Sequence, residues 1–570
     1  MSVAGPAAAG RGGAQPGITS DAPALAALAG ERLDLVQAPF TLPRSRLLVF
    51  REGDGVRVHT SEYERSLAEC RVLDTLVVRD ATGHALPITR VLPHVIEFGS
   101  GAATIAFAGP RALSIGRSAR EPLSVEWGMP DGARTSVELD DSTGAVCLHI
   151  SADRKVRHAA SDDHLADLSA SESIWLDWFA RCPRVRGDLQ SMTAFCWWVL
   201  GANIVELPAL GDARAVVPSK IGYVGLWQWD AYFIAIGLRH GDPELAREQL
   251  ELAFRFPSDD GQLPDVVHEH GVLATSEDLP PRDRENLRRA GSAIADPSAP
   301  VPLTKPPLAA WALAKVLEVE PADEWARVQL ATIRRSQDWW FAVSDLDGDG
   351  MPEYGHPYSS GLDDSPIFDG PLPTTAPDLG AYLVLQDLEL ARFAERLGDA
   401  DAAAHRSRAE RTLALLLDLW DDERGLFGAR AAGAEVTSDT IVGLMPLLTG
   451  RLSERIVDRI VAALSDPRRF GAAWTVPTVA LDDPDFSPDR MWRGPVWVNT
   501  NALVVEGLRG SGHPELAREL AERTVALVVH GGGPHEYFNP MTGEKAPTAT
   551  TAFGWSAALF IDLAVQLSVG

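Results

Sequence analysis

The sequence predicts a mainly α-helical protein in which an (α/α)6 barrel follows a small antiparallel β-sandwich. Apolar residues recur with a period of two over residues 40–160 and with a period near 3.6 over residues 165–570. In the second part, short and long connections alternate along about six pairs of helical segments. Short connections make neighbouring helices antiparallel. We therefore expect the helical pairs to close into a ring whose long connections line one mouth.

The N-terminal part reads as a tail followed by strands. Residues 1–25 are rich in glycine, alanine and proline, which predicts a disordered tail. Short apolar runs such as 47–50, 103–107 and 145–148 are candidate strands, and turn signals such as 53–55 separate them. Several short strands at this spacing favour an antiparallel sandwich over residues 40–160.

The C-terminal part, 165–570, carries helical stripes almost to its end, and it forms the predicted catalytic domain. The rival interpretation is an α-solenoid, which the sequence does not favour because it contains no repeat of fixed length. The predicted helices lie near 187–204, 229–240, 243–256, 305–319, 322–343, 376–398, 400–420, 437–447, 451–464, 498–510, 514–529 and 551–567.

Length and charge limit the classes of function. A chain of 570 residues is too long for one ordinary hydrophobic core, which agrees with two domains. The net charge is -27 and no run of basic residues is present, so neither nucleic acid nor an anionic membrane is an expected partner. The expected partner is a small carbohydrate, and a homo-oligomer is compatible with the sequence.

The cysteines and the apolar runs predict a cytoplasmic location. Cys70, Cys147, Cys182 and Cys196 are scattered without metal-ligand spacing and are expected to be reduced thiols. The N-terminus has no apolar stretch typical of a secretion signal. No run approaches the roughly 20 apolar residues that a membrane span needs.

Two segments near the start and the middle of the helical part combine carboxylates with aromatic or turn residues. In 225–233, Trp227 and Trp229 stand beside Asp230, which offers ring faces and a charged acceptor to a sugar. The alternative is that Asp230 caps a helix and the tryptophans belong to the core. In 354–366, Asp363 and Asp364 are adjacent in a loop bordered by glycine and proline; alone, they would read as surface turn residues.

Two further segments lie toward the C-terminus. Residues 489–499 place guanidinium groups, indoles and an amide just before a helix, and packing of aromatic rings around the helix start is the alternative. In 532–540, glycines would let the backbone approach a ligand closely, and Glu536 stands among aromatic residues that would exclude water. A single glutamate in such a loop would ordinarily be solvated.

Carboxylates from several loops at the same mouth of the predicted ring could carry out glycosidic cleavage. The reaction needs a protonated carboxyl at the leaving oxygen and a carboxylate on the opposite side. In an inverting enzyme the two groups stand roughly 6.5–9.5 Å apart, so that a water fits between them. Burial among aromatic rings would raise the pKa of a carboxyl, as the acid requires. Spacing along the chain does not say which carboxyls form the pair.

Together, in this order, the four segments resemble the trehalase-like clan of (α/α)6 glycosidases over about 185–570. The resemblance is strongest to glycoside hydrolase family 63, and within it to bacterial mannosylglycerate and glucosylglycerate hydrolases. The motifs that carry it are WDAYF at 229–233, SGLD at 360–363, WRGPVW at 492–497 and EYFNP at 536–540. Ala231 departs from the serine or threonine usual in the first motif, and Leu362 departs from the aromatic residue or methionine usual in the second. The departure at Leu362 concerns the neighbouring subsite more than the chemistry.

The resemblance implies a role for each matching residue. Asp363, rather than Asp364, would be the general acid, Glu536 the general base, and Asp230 a ligand of sugar hydroxyls. If the substrate carries a carboxylate, as a glycerate glycoside does, we expect Arg493 or Arg490 to bind it as a charge-assisted fork. The candidate substrate-binding residues are Tyr223, Trp227, Trp229, Asp230, Gln262, Trp492, Arg493 and Trp497.

The function predicted is an inverting glycoside hydrolase that cleaves a small α-linked glucoside or mannoside. Glucosylglycerate, mannosylglycerate and α-glucosyl disaccharides, trehalose among them, are all open as substrates. The alternatives are a phosphorylase or a glucoamylase-like hydrolase on the same fold. A non-catalytic sugar-binding protein is the alternative from another class.

No cofactor is expected, and one loop is a weak candidate for structural calcium. Asp345, Asp347 and Asp349 resemble the start of a calcium loop, with Glu353 at the ninth position. The glutamate expected at the twelfth position is replaced by His356, so a solvated turn is the favoured interpretation. The histidines lack the spacing of a zinc site.

Overall fold

The N-terminal strands form two antiparallel sheets. The computed structural model describes residues 21–63, 65–208, 211, 213–272, 284–285 and 303–569. One sheet has the order β1-β2-β3-β8-β9 and the other the order β11-β10-β7-β6-β5-β4. The strands are β1 (Leu47–Glu52), β2 (Gly55–Thr60), β3 (Arg71–Arg79), β4 (Ile88–Leu92), β5 (Val95–Phe98), β6 (Ala103–Gly109), β7 (Ala112–Arg117), β8 (Leu123–Gly128), β9 (Arg134–Leu139), β10 (Ala145–Ile150) and β11 (Val156–Ser161).

The predicted period of two is visible in these strands. β8 alternates buried and partly exposed residues, with Leu123, Val125 and Trp127 buried. Hairpin turns keep successive strands in register, as in the pairing of Leu47 with Thr60 through Glu52 with Gly55. This antiparallel, β-rich region (47–161) is what the alternation predicted. The domain boundaries remain predictions.

The predicted tail of residues 1–25 is wrong at its C-terminal end. A helix begins at Ala22, because Leu25, Ala26 and Ala29 bury their side chains against the rest of the protein. Burial of one helical face offsets the entropy of ordering the chain. Residues 1–20 lie outside the described part.

Helices dominate the chain after residue 163. The α-helices are α1 (Ala22–Gly30), α2 (His164–Phe179), α3 (Gly187–Ala202), α4 (Gln228–Leu238), α5 (Pro243–Ala253), α6 (Ala309–Leu317), α7 (Asp323–Val343), α8 (Pro377–Leu397), α9 (Ala402–Leu417), α10 (Glu454–Ser465), α11 (Val498–Gly510), α12 (Pro514–His530) and α13 (Gly554–Val569). Among the described helices, none is both long and apolar enough to cross a lipid bilayer.

Short irregular elements lie in the long connections. Among the described residues, the 3-10 helices include Pro357–Ser360, Pro366–Phe368 and Ile441–Thr449. The small strands are Ile204–Glu206, Arg214–Val216, Leu226–Trp227, Val266–Val267, Thr374–Thr375, Trp420–Asp421, Leu426–Phe427, Arg430–Ala431 and Ala434–Glu435. The helix predicted near 437–447 is a 3-10 helix, and Pro446 inside it has no N–H with which to continue an α-helical bonding pattern.

Six helical segments contact one another in a closed order. α4 contacts α6, α6 contacts α8, α8 contacts Ile441–Thr449, and this segment contacts α11. α11 then contacts α13, and α13 contacts α4. The N-terminal ends of α4, α11 and α13 carry Trp229, Trp497 and Trp555, which lie close together. The residues that precede these helices therefore meet at one end of the helical region.

Candidate active site

A cavity at the N-terminal ends of these helices is lined by aromatic rings and by three carboxylates. It encloses about 80 Å³, which is room for several water molecules. The lining residues are Pro218, Tyr223, Trp227, Trp229, Asp230, Lys305, Gly361, Asp363, Met491, Trp492, Trp497, Glu536, Phe553 and Trp555.

The structure brings both predicted catalytic carboxylates to this cavity. Asp363 comes from the connection between α7 and α8, and Glu536 from the connection between α12 and α13. Six of the eight candidate substrate-binding residues also line it: Tyr223, Trp227, Trp229, Asp230, Trp492 and Trp497. Residues from all four motif segments therefore share one space.

Glu536 is buried and held through both carboxylate oxygens. Tyr223 donates its hydroxyl hydrogen to Oε1 at 3.0 Å, and the main-chain N–H of Thr550 donates to Oε2 at 2.8 Å. Burial raises the pKa of the Glu536 carboxyl, and the hydrogen bonds from Thr550 and Tyr223 oppose this rise. The carboxylate thus has a fixed orientation and an increased affinity for a proton.

The loop before Asp363 packs against Trp229, which lines the cavity. Gly361 has a φ of +74°, and a Cβ there would lie 2.2 Å from Cζ2 of Trp229. Only glycine fits both the left-handed backbone and the close approach to the indole. Two residues later, Asp363 is half-buried and reaches the cavity.

The neighbouring Asp364 links two loops. Its Oδ1 accepts a hydrogen bond of 2.9 Å from the main-chain N–H of Trp492, and its Oδ2 lies 3.1 Å from Nε of Arg490. Asp364 therefore anchors the segment that carries Trp492, and it is absent from the cavity lining. The two adjacent aspartates have different surroundings.

Aromatic rings pack against one another around the carboxylates. Trp492 stacks on Trp497 with centroids 3.6 Å apart, and Trp497 stacks on Tyr537 at 4.6 Å. Trp555 meets Trp229 edge to face at 5.5 Å. Trp229, Trp492 and Trp497 are therefore buried, as the core interpretation required, whereas Trp227 is half-buried. All four line the cavity.

Lys305 is a cavity residue that the sequence interpretation missed. Its ammonium lies 3.0 Å from Oδ1 of Asp265 and donates to the carbonyl of Tyr358 at 2.6 Å. Burial opposes its charge, but Asp265 and Asp363 outweigh this effect and raise the pKa of Lys305. Burial raises the pKa of Asp230 well above its ordinary value, although Lys305 opposes the rise.

The missed residues differ in the signal that the sequence offered. Lys305 was predicted to be the first residue of a helix, but α6 begins only at Ala309. Nothing in the sequence therefore indicated that Lys305 lies in a loop beside the cavity. Phe553 and Trp555 fell within a predicted helix. The two aromatic residues flank Gly554 directly after a long connection, as in the other motif segments. This likeness could have identified them as candidate site residues.

Two predicted substrate-binding residues lie outside the cavity lining. Nε2 of Gln262 donates to the carbonyl of Leu303 at 2.9 Å. Arg493 is buried and forms an ion pair with Asp369. Because Arg490 is paired with Asp364, each arginine proposed to bind a substrate carboxylate already has an aspartate partner.

The aspartate-rich loop brings three carboxylates together. Ligand oxygens of Asp345, Asp347 and Asp349 lie within 4.8 Å of one another. Main-chain N–H groups already donate to these aspartates, for example from Gly348 to Asp345 at 3.0 Å. Glu353 is buried and accepts from the N–H of Leu346 at 3.1 Å.

We expect calcium to leave the thermal unfolding midpoint unchanged, because turn hydrogen bonds already hold the loop folded and His356 stands where a calcium loop has its bidentate glutamate. The measurement compares the midpoint after exhaustive chelation with that in millimolar calcium, using magnesium as the control cation. An ion bound at 100 times its Kd would add about 2.7 kcal/mol of stability. A calcium-specific rise in the midpoint that Asp347→Asn removes would contradict the prediction.

The chain resembles known glycoside hydrolases over its helical part. The family model described as the mannosylglycerate hydrolase MGH1-like glycoside hydrolase domain matches residues 223–556. A mannosylglycerate hydrolase of Thermus thermophilus is 30% identical over 410 residues, which is 60% of this chain and 95% of that protein. A glucosylglycerate hydrolase of Mycolicibacterium hassiacum is 24% identical over 438 residues, covering 62% and 94%.

Solved structures of glycoside hydrolases are similar to this chain as well. A GH63 mannosylglycerate hydrolase from Thermus thermophilus in complex with glucose has a TM-score of 0.55 and 26% identity, covering 64% of this chain and 98% of that chain. A bacterial glucoamylase complexed with acarbose has a TM-score of 0.54 at 11% identity and covers 94% of both chains. The second likeness concerns the fold alone, and it extends over the β-rich region.

Proposed function

Because the chain belongs to the mannosylglycerate hydrolase MGH1-like glycoside hydrolases, within glycoside hydrolase family 63, we propose that it cleaves a small α-linked glucoside or mannoside with inversion of configuration. One observation carries the proposal most directly. Asp363 and Glu536, which lie on loops far apart in the chain, line one cavity walled by aromatic rings. Glycosidic cleavage needs two carboxyl groups that reach the same sugar.

The architecture that we propose for residues 165–570 is an (α/α)6 barrel. The closed order of contacts through α4, α6, α8, Ile441–Thr449, α11 and α13 supports an inner ring of six segments. The intervening helices would form the outer layer. The two antiparallel sheets of the β-rich region support a sandwich over residues 40–160.

In the proposed reaction, Asp363 donates its proton to the glycosidic oxygen as the bond to the anomeric carbon breaks. Glu536 accepts a proton from a water molecule whose oxygen attacks that carbon from the opposite face. Tyr223 and the N–H of Thr550 keep the Glu536 carboxylate pointed at the water. Asp230 would accept hydrogen bonds from sugar hydroxyls, and the cavity tryptophans would contact the sugar ring.

The substrate is best identified by a hydrolysis screen. Relatives are described as mannosylglycerate and glucosylglycerate hydrolases, so the screen should contain both glycerates together with trehalose and kojibiose. Proton NMR of the first-formed sugar reports its anomeric configuration. We expect cleavage of at least one compound with inversion and no dependence on phosphate. Retention of configuration would contradict the mechanism, and phosphorolysis would point to a phosphorylase.

We expect Tyr223→Phe to move the acidic limb of the kcat/KM pH profile to higher pH. The base must be ionised, so activity is lost as pH falls through the raised pKa of Glu536. Without the tyrosine hydrogen bond, the carboxylate is less stable and its pKa rises further. A hydrogen bond to a charged group is worth roughly 1.5–3 kcal/mol, or about one to two pH units.

Tyr537→Phe is the matched control for this measurement. Tyr537 lies next to Glu536 in the chain, but its hydroxyl is bonded to Thr548 at 2.8 Å rather than to the carboxylate. The acidic limb of the kcat/KM pH profile of Tyr537→Phe should coincide with that of the wild-type enzyme. Equal shifts in both variants would mean that Tyr223 does not act through its bond to Glu536.

A cytoplasmic location is part of the proposal. Cys70, Cys147, Cys182 and Cys196 are all buried and unpaired in the structure, as expected of reduced thiols. Cell fractionation with an activity assay tests the location.

A further inference from the structure

The loop between β2 and β3 brings an aromatic ring of the β-rich region to the cavity wall. The ring of Tyr63 stacks on the imidazole of His268, with centroids 4.6 Å apart and planes 13° apart. It also lies 6.0 Å from the ring of Trp227, which lines the cavity. The backbone beneath is close: a Cβ at Gly225 would lie 3.3 Å from Cε2 of Tyr63.

Buried polar contacts fix this loop to the wall. Ser61 donates its hydroxyl hydrogen to the carbonyl of Lys220 at 2.7 Å, and Ser61 is buried. Arg46 donates to the carbonyl of Ser61 at 3.0 Å and lies 3.4 Å from the carboxylate of Glu269. These contacts hold the Tyr63 loop to two segments of the helical region. One contains Lys220 and Tyr223, and the other contains His268 and Glu269.

The rings form a path that leads away from the catalytic carboxylate. Tyr223 binds Glu536, and Trp227 meets Tyr223 edge to face at 5.8 Å. Tyr63 comes next, beyond Trp227, and is not itself a lining residue of the cavity. All three residues are half-buried, so each keeps some contact with solvent. Half-buried aromatic rings combine an apolar face with a polar group and are suited to the C–H faces and hydroxyls of a sugar or polyol.

We propose that Tyr63 and Trp227 together form an outer binding surface for the part of the substrate that extends beyond the reacting sugar. Specificity for that part would then be set jointly by the β-rich region and the helical region. Tyr63 precedes the residues that the family model matches, 223–556, whereas Trp227 lies among them, so the N-terminal part of this chain contributes the Tyr63 side of this surface. The inference rests on the proposed glycosidase activity and adds a specificity-determining residue to it.

The test compares a full glycoside with a glycosyl fluoride of the same sugar. The fluoride occupies only the site of the reacting sugar, whereas the glycoside also reaches the outer surface. The pairs are kojibiose with α-glucosyl fluoride, or mannosylglycerate with α-mannosyl fluoride if the enzyme prefers mannose. We expect Tyr63→Ala to lower kcat/KM for the glycoside about tenfold, mainly through KM, and to leave the fluoride unchanged. Tyr63→Phe keeps the ring and should remain within about twofold of the wild type on both substrates.

The outcomes separate the inference from the proposed function. If wild-type enzyme cleaves neither fluoride and none of the four glycosides of the screen, the proposed function fails and the inference fails with it. If the wild type cleaves both members of a pair but Tyr63→Ala lowers both equally, the side chain has only a structural role and the inference alone is overturned. Unchanged kinetics in Tyr63→Ala would also overturn it, because the ring would then not contact the substrate. A circular dichroism melt of each variant accompanies the kinetics.

Discussion

Replacing Asp363 with asparagine should lower kcat for a glycoside by roughly 10²–10⁴-fold, the usual contribution of a general acid. The amide cannot give a proton to the leaving oxygen, so the bond would have to break to an unprotonated alkoxide. The side chain keeps its size, and the surrounding loop, including the packing of Gly361 on Trp229, should be undisturbed. The measurement is steady-state hydrolysis of the glycoside found in the screen.

A glycosyl fluoride makes this prediction specific to the acid. Fluoride leaves without protonation, so Asp363→Asn should cleave the fluoride far better, relative to wild type, than it cleaves the glycoside. Asp364→Asn is the matched control: this neighbour binds Arg490 and the N–H of Trp492 outside the cavity lining. We expect it to lose only a small part of the activity. A larger loss in Asp364→Asn than in Asp363→Asn would reverse the assignment.

Glu536→Gln should abolish practical turnover of both the glycoside and the fluoride, again by roughly 10²–10⁴-fold. Water attack needs a base whatever the leaving group is, and a glutamine cannot accept the proton. The difference between the two variants on the fluoride therefore separates the acid from the base. The amide can still accept a hydrogen bond from Thr550 or Tyr223, so the unfolding midpoint should change little.

Two further measurements sharpen the assignment of the base. Azide is a nucleophile that needs no deprotonation, and it should partly restore turnover of the fluoride in Glu536→Gln with an azide of inverted configuration as the product. Glu544→Gln, in the same connection but at an exposed position, should behave like the wild type. Full activity in Glu536→Gln, or an azide product of retained configuration, would count against an inverting mechanism with this base.

Some features of the site could be predicted because they are local. The motifs at 229–233, 360–363, 492–497 and 536–540 each depend on a short run of residues, and residues from all four line the cavity. The difference between Asp363 and Asp364 came from the resemblance to family 63. The structure adds a physical difference: one aspartate reaches the cavity and the other is bound to the neighbouring loop.

Other features could not be predicted because they depend on which way a side chain turns. Arg493 lies within a matching motif, yet its guanidinium pairs with Asp369 instead of entering the cavity. Gln262 bonds to the carbonyl of Leu303. A motif gives the position of a residue in the chain, whereas the lowest-energy partner for a buried guanidinium or amide depends on neighbours from distant segments.

By itself, the sequence determined the periodicities of the strands and most helices, the order of the motif segments and the residue types able to carry acid–base chemistry. These follow from local propensity and from the alternation of apolar and polar positions. Only the tertiary structure decided that Lys305 lies beside Asp265, that Trp555 and Phe553 complete the cavity wall, and that Tyr63 of the β-rich region stands beside Trp227. The physical reason is that burial and contact join segments far apart in the chain, and these long-range contacts leave no periodic trace in the residues that make them.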